Sequence, residues 1–196
     1  MREFTEQELV RREKLKNIQN PYPDRFEINT EIKDARELPD GTTDVRVAGR
    51  IVLMRKMGKM SFLTIGDIGG KIQISVKMDM IGEEAYQAFK QNYDLGDFIG
   101  VLGEVFTTHT GEKTIRASEI TFLGKALRPL PEKFHGLEDQ EMIYRERYVD
   151  LIMNDEAKKK FLFRSAFIRE LRNYLNDLGY VEIETPILNN KASGAT

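Results

Sequence analysis

The sequence contains no cysteine, and its only two histidines, His109 and His135, lie far apart. Without cysteine the chain has neither disulfide bonds nor thiolate metal sites, which is compatible with a reducing compartment. The separated histidines argue against a histidine metal cluster. A long apolar run and a signal-type N-terminus are also missing, so we expect no membrane association and a cytoplasmic location.

Motifs for catalysis are scarce as well. The sequence has no glycine-rich phosphate loop of the P-loop or dinucleotide type, and the glycines within 66–70 are better explained as a turn. Glu182 and Glu184 alternate with apolar residues, which is typical of a solvated strand face and not of an acid–base pair. We therefore predict no catalytic residue and no metal site in this chain.

The composition is that of a folded protein with charges of both signs. Hydrophobic residues make up 40% of the sequence and charged residues 32%, which is enough apolar material to bury a core. The formal net charge of −2 argues against a protein devoted to coating nucleic acid. A local basic face is still compatible with this balance, because a partner responds to the local field.

Residues 1–43 form the first predicted region, a short helix followed by a lead-in. Thr5 is a good N-cap residue, and Glu8 stands three positions later, as in a capping box. Residues 11–16 are basic, and two interpretations are open for them: a solvated helix face or a contact for a polyanion. The prolines that follow end the helix.

Residues 44–124 are predicted to form a β-barrel. Apolar and polar residues alternate in five segments, which is typical of half-buried strands. The segments are 44–55, 61–65, 71–77, 98–107 and 113–123, with a helix over 83–93 between the third and the fourth. This order of strands and helix favours an OB-fold, a five-stranded Greek-key barrel, over other small barrels.

A connector over 125–153 and a second domain over 154–196 follow the barrel. Asn154 is a plausible N-cap for a long helix, Gly179 is placed to end that helix, and residues 181–184 alternate as a strand. A lone strand cannot form a stable sheet. We therefore expect the last region to be the truncated start of a domain, and the whole chain to be mainly β with helices.

The barrel carries a candidate site for single-stranded nucleic acid. OB barrels bind such strands with aromatic platforms and basic residues. Phe62 falls on the strand face opposite Leu63 and Ile65, so it is expected to point outward, where it can stack on a base. Gln73 can both donate to and accept from a base edge. The remaining candidates are charged residues near these two in sequence or at the tip between the last two strands: Arg50, Arg55, Lys59, Lys71 and Glu112.

The alternative interpretation places Phe62 in the core and makes Gln73 an ordinary surface amide. Composition alone favours neither interpretation. The alternation of the strand supports the outward position, because a large exposed aromatic side chain needs a reason to be there.

Several strings spread along nearly the whole chain form a set. They include Asn20-Pro21-Tyr22-Pro23, Gly69-Gly70-Lys71-Ile72-Gln73, Thr110-Gly111-Glu112, Arg128-Pro129-Leu130-Pro131-Glu132-Lys133-Phe134-His135-Gly136-Leu137, Tyr144-Arg145-Glu146-Arg147-Tyr148 and the segment 164–188. The set resembles class II lysyl-tRNA synthetases of the bacterial type, and 164–188 resembles their motif 1. The string 128–137 is the most specific part, because aspartyl and asparaginyl relatives are not expected to carry it.

The resemblance implies an ATP-dependent enzyme that activates lysine and transfers it to tRNA. It places ATP and Mg2+ with the later motifs of the full-length enzyme, and neither is expected to bind this chain alone, which is expected to be inactive by itself. The last region is then the start of a class II α+β catalytic domain.

The resemblance also implies roles for individual residues. Phe62 would stack on the middle uridine of the anticodon and Gln73 would read its edge. Arg55 and Glu112 would help at neighbouring positions, with Arg50 and Lys59 in the same anticodon-binding set. Motif 1 would supply a homodimer interface through four residues: Phe161, Arg164, Ile168 and Pro186.

Two other interpretations stay open. A stand-alone OB-fold protein would bind single-stranded oligonucleotides without sequence preference, but it has no use for a segment like motif 1. A fragment of an aspartyl- or asparaginyl-tRNA synthetase would keep the barrel and motif 1, but it is not expected to carry the string 128–137.

Overall fold

The computed structural model describes residues 3–131 and 139–188. The chain separates after Leu130 into two compact units, and each is described by itself. Residues 132–137 of the most specific string and the terminal segment 191–196 lie outside the described residues.

The first unit is built on a closed five-stranded barrel. Its strands are β1 (Val45–Lys56), β2 (Met60–Gly66), β3 (Lys71–Lys77), β4 (Phe98–Thr107) and β5 (Lys113–Gly124). They close in the order β1-β2-β3-β5-β4. The β3–β5 pair is parallel, and the other neighbours are antiparallel. The predicted OB-fold is confirmed.

Helices flank and follow the strands. In the first unit they are α1 (Glu6–Lys16), α2 (Ile32–Ala35), α3 (Met78–Ile81) and α4 (Glu83–Asn92). The predicted helix between the third and fourth strands is therefore confirmed, with the short α3 preceding it. Helix α4 buries Tyr86 and Phe89 completely. The Tyr86 hydroxyl lies 2.9 Å from the hydroxyl of Ser61, so this buried polar residue of β2 is hydrogen-bonded.

The core of the barrel consists of alternate strand residues, as the sequence pattern predicts. In β2, Leu63 and Ile65 are 1% and 0% exposed, and in β3 the buried apolar residues are Ile72, Ile74 and Val76. Strand residues of the opposite parity stand on the outer face. This period of two decides which side chains can meet a ligand.

Helix α1 has the capping box that its sequence predicts. The Thr5 hydroxyl accepts a hydrogen bond from the Glu8 backbone N–H, and the Glu8 carboxylate accepts one from the Thr5 backbone N–H. The basic residues on this helix have a role that neither interpretation foresaw. Arg11 donates to the carbonyl oxygens of Leu95 (3.1 Å) and Ala126 (2.6 Å). These bonds tie the helix to the barrel through its cationic side.

A buried ammonium group joins four segments at one end of the barrel. Lys125, whose side chain is 0% exposed, bonds to Asp94 (2.6 Å), Asp97 (2.8 Å) and the carbonyl of Asn92 (2.7 Å). Lys14 of α1 pairs with the same Asp94 at 2.6 Å. The network therefore connects α1, the end of α4, the start of β4 and the segment after β5.

The ammonium groups of Lys125 and Lys14 favour the ionised form of Asp94. Burial by itself would raise the pKa of Asp94, but hydrogen bonds from Lys125 and Lys14 outweigh burial and hold the pKa below its ordinary value. The stability linked to Asp94 is therefore present above the ordinary carboxyl pKa, and it is lost as the pH falls through the lowered one.

The second unit consists of α5 (Gln140–Arg145), α6 (Arg147–Met153) and α7 (Asp155–Asp177). The predicted start of the long helix is confirmed, because the Asn154 side chain accepts hydrogen bonds from the backbone of Glu156 and Ala157. Its predicted end is also confirmed: Gly179 follows with φ of +85°, and Tyr180 donates to the carbonyl of Leu175. Among the described residues, no helix is long and apolar enough to cross a membrane.

The predicted strand over 181–184 is wrong. Residues 181–188 form no ladder with any described strand, and Val181 and Ile183 are 82% and 75% exposed. Alternation marks a segment suited to a sheet, but a strand forms only when a neighbour accepts its hydrogen bonds.

Replacing Lys125 with methionine tests the buried network. Lys125→Met leaves Asp97 buried without its cation, and removal of one partner of a buried pair costs about 3–5 kcal/mol. We expect a loss of that size in the free energy of unfolding, measured by urea denaturation. The matched control is Lys16→Met, which breaks the exposed pair with Glu13 and should leave stability nearly unchanged. Equal effects of the two substitutions would contradict this account.

Candidate nucleic-acid interface

A cleft of about 830 Å³ lies on the outer face of the barrel. Residues from all five strands line it, together with the turn between β4 and β5. Its lining residues are Arg55, Met57, Met60, Phe62, Gln73, Ser75, Lys77, Phe106, Thr107, Thr108, His109, Thr110 and Arg116. The cleft therefore combines aromatic, amide, hydroxyl and cationic groups, which is the set that single-stranded nucleic acid requires.

The register of the strands brings five of the outer residues into one row across the sheet. Arg55 pairs with Phe62, Phe62 with Ser75, Ser75 with Arg116, and Arg116 with Glu104. Neighbouring strands lie about 4.8 Å apart, so each side chain in the row stands beside the next. Residues from five different strands thus form one continuous surface.

Phe62 and Gln73 stand where the sequence predicts. Both are half-buried on the outer face, and both line the cleft. The prediction that Phe62 points outward is confirmed, and its alternative as a core residue is wrong, because its strand neighbours Ser61 and Leu63 are the buried residues. The roles of Phe62 and Gln73 in base recognition stay predictions.

Three of the predicted anticodon residues do not line the cleft. Arg50 donates to the carbonyl of Gly96 at 2.9 Å, and its guanidinium lies 4.2 Å from the ring centre of Phe98. Burial lowers the pKa of Arg50, against the opposing charge of Asp97. These contacts give Arg50 a structural role in β1, outside the cleft.

Lys59 and Glu112 lie in turns beside the cleft. Lys59 is exposed between β1 and β2, and its backbone carbonyl accepts a hydrogen bond from Met78. Glu112 is exposed in the turn between β4 and β5, where its backbone N–H donates to the Thr108 hydroxyl at 3.0 Å. Both can reach a ligand that extends beyond the cleft, so their roles stay predictions.

Sequence reasoning missed Phe106, Ser75 and Arg116. A signal for two of them was present: Phe106 follows the core residue Val105, and Arg116 follows the core residue Ile115, so alternation predicts that both point outward. The parallel pairing that places Arg116 beside Ser75 carries no local signal, because it joins β3 and β5. The structure also places His109 among the residues that line the cleft, a role that the sequence did not indicate.

The guanidinium of Arg116 is loosely held. It lies 4.6 Å from the ring centre of Phe106, and its Nη1 is 3.5 Å from a carboxylate oxygen of Glu104, the outer limit of a hydrogen bond. Gly103 lets β4 approach the backbone of Arg116 closely, since a side chain there would collide with the Arg116 carbonyl.

The candidate dimer residues belong to the second unit. Phe161, Arg164 and Ile168 lie on α7, and Pro186 lies beyond its end. Phe161 is 43% exposed and contacts Arg147, whose guanidinium is 5.6 Å from its ring centre. Further apolar side chains of the same helix are exposed: Leu162, Phe163, Phe167, Leu171, Tyr174 and Leu175. Within the described part of this unit, nothing covers them.

Comparison with protein-family models matches two parts of the chain. Residues 45–123 match an OB-fold nucleic acid binding domain. Residues 139–196 match tRNA synthetases of class II (D, K and N).

Comparison with curated proteins finds lysine–tRNA ligases. The protein of Lysinibacillus sphaericus (strain C3-41) is 49% identical over 98% of this chain and 41% of its own length. That of Streptococcus pneumoniae (strain Hungary19A-6) is 48% identical over 100% of this chain and 42% of its own length. That of Streptococcus mutans is 46% identical over 98% and 41%. The chain spans about two fifths of the length of the curated relatives it matches.

Truncation of neighbouring β2 residues tests the two faces of the barrel. Leu63→Ala opens a cavity in the core and should cost about 2–5 kcal/mol of unfolding free energy. Phe62→Ala removes a larger side chain, but from the outer face, so we expect less than half that loss. Urea denaturation of both variants measures the difference. A larger loss for Phe62→Ala than for Leu63→Ala would return Phe62 to the core.

Proposed function

The chain belongs to the class II lysyl-tRNA synthetase family, and from that premise we propose that its barrel binds the anticodon loop of a lysine-specific tRNA. The observation that carries the proposal is the placement of Arg55, Phe62 and Gln73 in one cleft on the outer face of the barrel, with Arg55 directly opposite Phe62 and Gln73 on the next strand. Three neighbouring strands, β1, β2 and β3, each hold one of these residues at a fixed position, so the site is preformed.

The three side chains offer three different kinds of contact to a nucleotide. Phe62 offers a flat apolar surface on which an unstacked base can lie. Gln73 offers an amide donor and an amide acceptor, which match the donor and acceptor on the edge of a uracil. Arg55 is exposed beside Phe62 and supplies positive charge for a phosphate. A uridine at the middle anticodon position fits this set.

The activity of the whole enzyme is the second part of the proposal. The matched relatives carry the name lysine–tRNA ligase, and we infer that this chain serves the same reaction: ATP-dependent activation of lysine and its transfer to tRNA. The described residues contain no group of three or more Asp, Glu or His side chains that could hold a metal ion. We assign no chemical step to them.

The exposed apolar side of α7 supports a third part of the proposal, a homodimer. Phe161, Arg164, Ile168 and Pro186 fall within the segment that matches class II synthetases. We propose that a second copy covers part of α7, because the helix exposes many aromatic and aliphatic side chains and large exposed apolar patches mark interaction sites.

Base substitution in a small RNA tests anticodon reading. The 196-residue chain should bind an anticodon stem-loop with a middle uridine more tightly than the same RNA with a middle adenosine, in a fluorescence titration. Phe62→Ala should weaken binding of the uridine RNA by about 1–3 kcal/mol through lost stacking. The alternative, a sequence-tolerant single-strand binder, predicts equal binding of the two RNAs.

Salt dependence tests the role of Arg55. Arg55→Ala should lower affinity for both stem-loops alike, because a phosphate contact carries no base information. It should also reduce the slope of log affinity against log salt by about 0.7, as expected for one contact to a single strand. Arg25→Ala is the matched control: Arg25 is paired with Glu27 and does not line the cleft, so its removal should change neither quantity. An unchanged slope in Arg55→Ala would remove this residue from the site.

A further inference from the structure

Two residues that line the cleft each carry a buried polar atom without a hydrogen-bond partner among the described residues. Within the described part of the chain, neither the hydroxyl oxygen of Ser75 nor the Nε of Arg116 has a hydrogen bond, and both atoms are buried. Ser75 is 1% exposed and lines the cleft, and Arg116 is its direct neighbour on β5. The two unpartnered atoms therefore belong to adjacent residues at one place.

Such atoms are costly, so they need an explanation. A buried donor left without an acceptor costs about 1–3 kcal/mol, and native proteins tolerate few of them. The third atom of this kind among the described residues, Nε of Arg12, is on helix α1 and does not line the cleft. The coincidence of the other two in a candidate binding cleft points to a ligand that satisfies both.

We propose that Arg116 and Ser75 form a second recognition element in the cleft, which binds an oxygen acceptor of the RNA strand that Phe62 holds. This inference rests on the proposed function, because it requires RNA in the cleft. The Arg116 guanidinium can only donate and the Ser75 hydroxyl can donate as well, so a ligand atom that meets both is an acceptor. The acceptor is a phosphodiester oxygen or a base carbonyl, and the experiment distinguishes the two.

Glu104 is a weak partner of Arg116 in the absence of RNA. Its carboxylate is 3.5 Å from Nη1, a weak contact that an RNA oxygen can replace at little cost. The ring of Phe106 packs against the Arg116 guanidinium, so the guanidinium keeps its position when RNA replaces Glu104. Glu104 therefore competes with the RNA for Arg116.

A double-substitution cycle on the full 196-residue chain tests the inference with the middle-uridine stem-loop as probe. Arg116→Ala should weaken binding about ten- to a hundredfold, as expected for hydrogen bonds from a charged donor. Glu104→Ala should tighten binding a few-fold, because it frees the guanidinium. In the Arg116→Ala background, Glu104→Ala should have no effect, since no guanidinium remains to be freed.

Ser75→Ala separates a binding role from a structural one. It should weaken RNA binding about two- to tenfold, while thermal unfolding stays unchanged or shifts to higher temperature, because a buried hydroxyl without a partner is lost. A structural hydroxyl would show the reverse: lower stability with unchanged binding. That result would overturn the assignment of Ser75.

Two further measurements identify the acceptor. If it is a phosphodiester, Arg116→Lys should retain most of the affinity and Arg116→Ala should reduce the salt slope by about 0.7. If it is a base carbonyl, Arg116→Lys should bind as weakly as Arg116→Ala with an unchanged salt slope, because lysine lacks the planar fork. Either pattern supports the recognition element.

The failure of this inference differs from the failure of the proposed function. If Phe62→Ala weakens binding but Arg116→Ala and Ser75→Ala bind like the unsubstituted chain, the recognition element is refuted and anticodon binding stands. If Phe62→Ala has no effect and the two stem-loops bind equally, the proposed function itself fails and this inference falls with it. An effect of Glu104→Ala that persists in the Arg116→Ala background would also refute the inference, because it would show general repulsion of RNA.

Discussion

A closed barrel gives each strand residue one of two environments, and this constraint governs the rest of the structure. Leu63 and Ile65 turn inward and complete the core, so Phe62 must turn outward. The same rule sends Gln73 out between Ile72 and Ile74. The candidate interface is thus the outer counterpart of the core, and a slip of one residue in register would exchange the two.

This rule explains how much could be predicted from the sequence. Alternation identified all five strands, and capping residues identified the start of α1 and both ends of α7, because each signal is local to the element it describes. It also identified the outward position of Phe62. Ser75 and Arg116 escaped prediction because their meeting depends on the parallel β3–β5 pairing, which no local pattern encodes. The strand over 181–184 was predicted wrongly for a related reason: its pattern is local, but a strand needs a partner.

Charge was harder to interpret than hydrophobicity. The sequence makes Arg11, Lys14 and Arg50 candidates for contact with solvent or nucleic acid. In the structure, each of them instead forms an internal contact with a carbonyl or carboxylate group. Long cationic side chains can satisfy backbone carbonyls at the ends of elements, where helices and turns leave oxygens unpaired. A basic residue near a binding face in sequence is therefore weak evidence of binding until its carbonyl and carboxylate neighbours are known.

The parallel pairing of β3 with β5 has a consequence for how the barrel opens. Only Gln73, Ile74 and Ser75 take part in it, whereas β4 and β5 pair along nearly their full lengths. This short ladder joins distant parts of the chain. We therefore expect the barrel to open first between β3 and β5, and the backbone amides of this ladder to exchange hydrogen sooner than those of the longer ladders. The candidate interface lies across this seam. An RNA strand that contacts both β3 and β5 would oppose their separation. RNA binding and closure of the barrel are therefore thermodynamically linked.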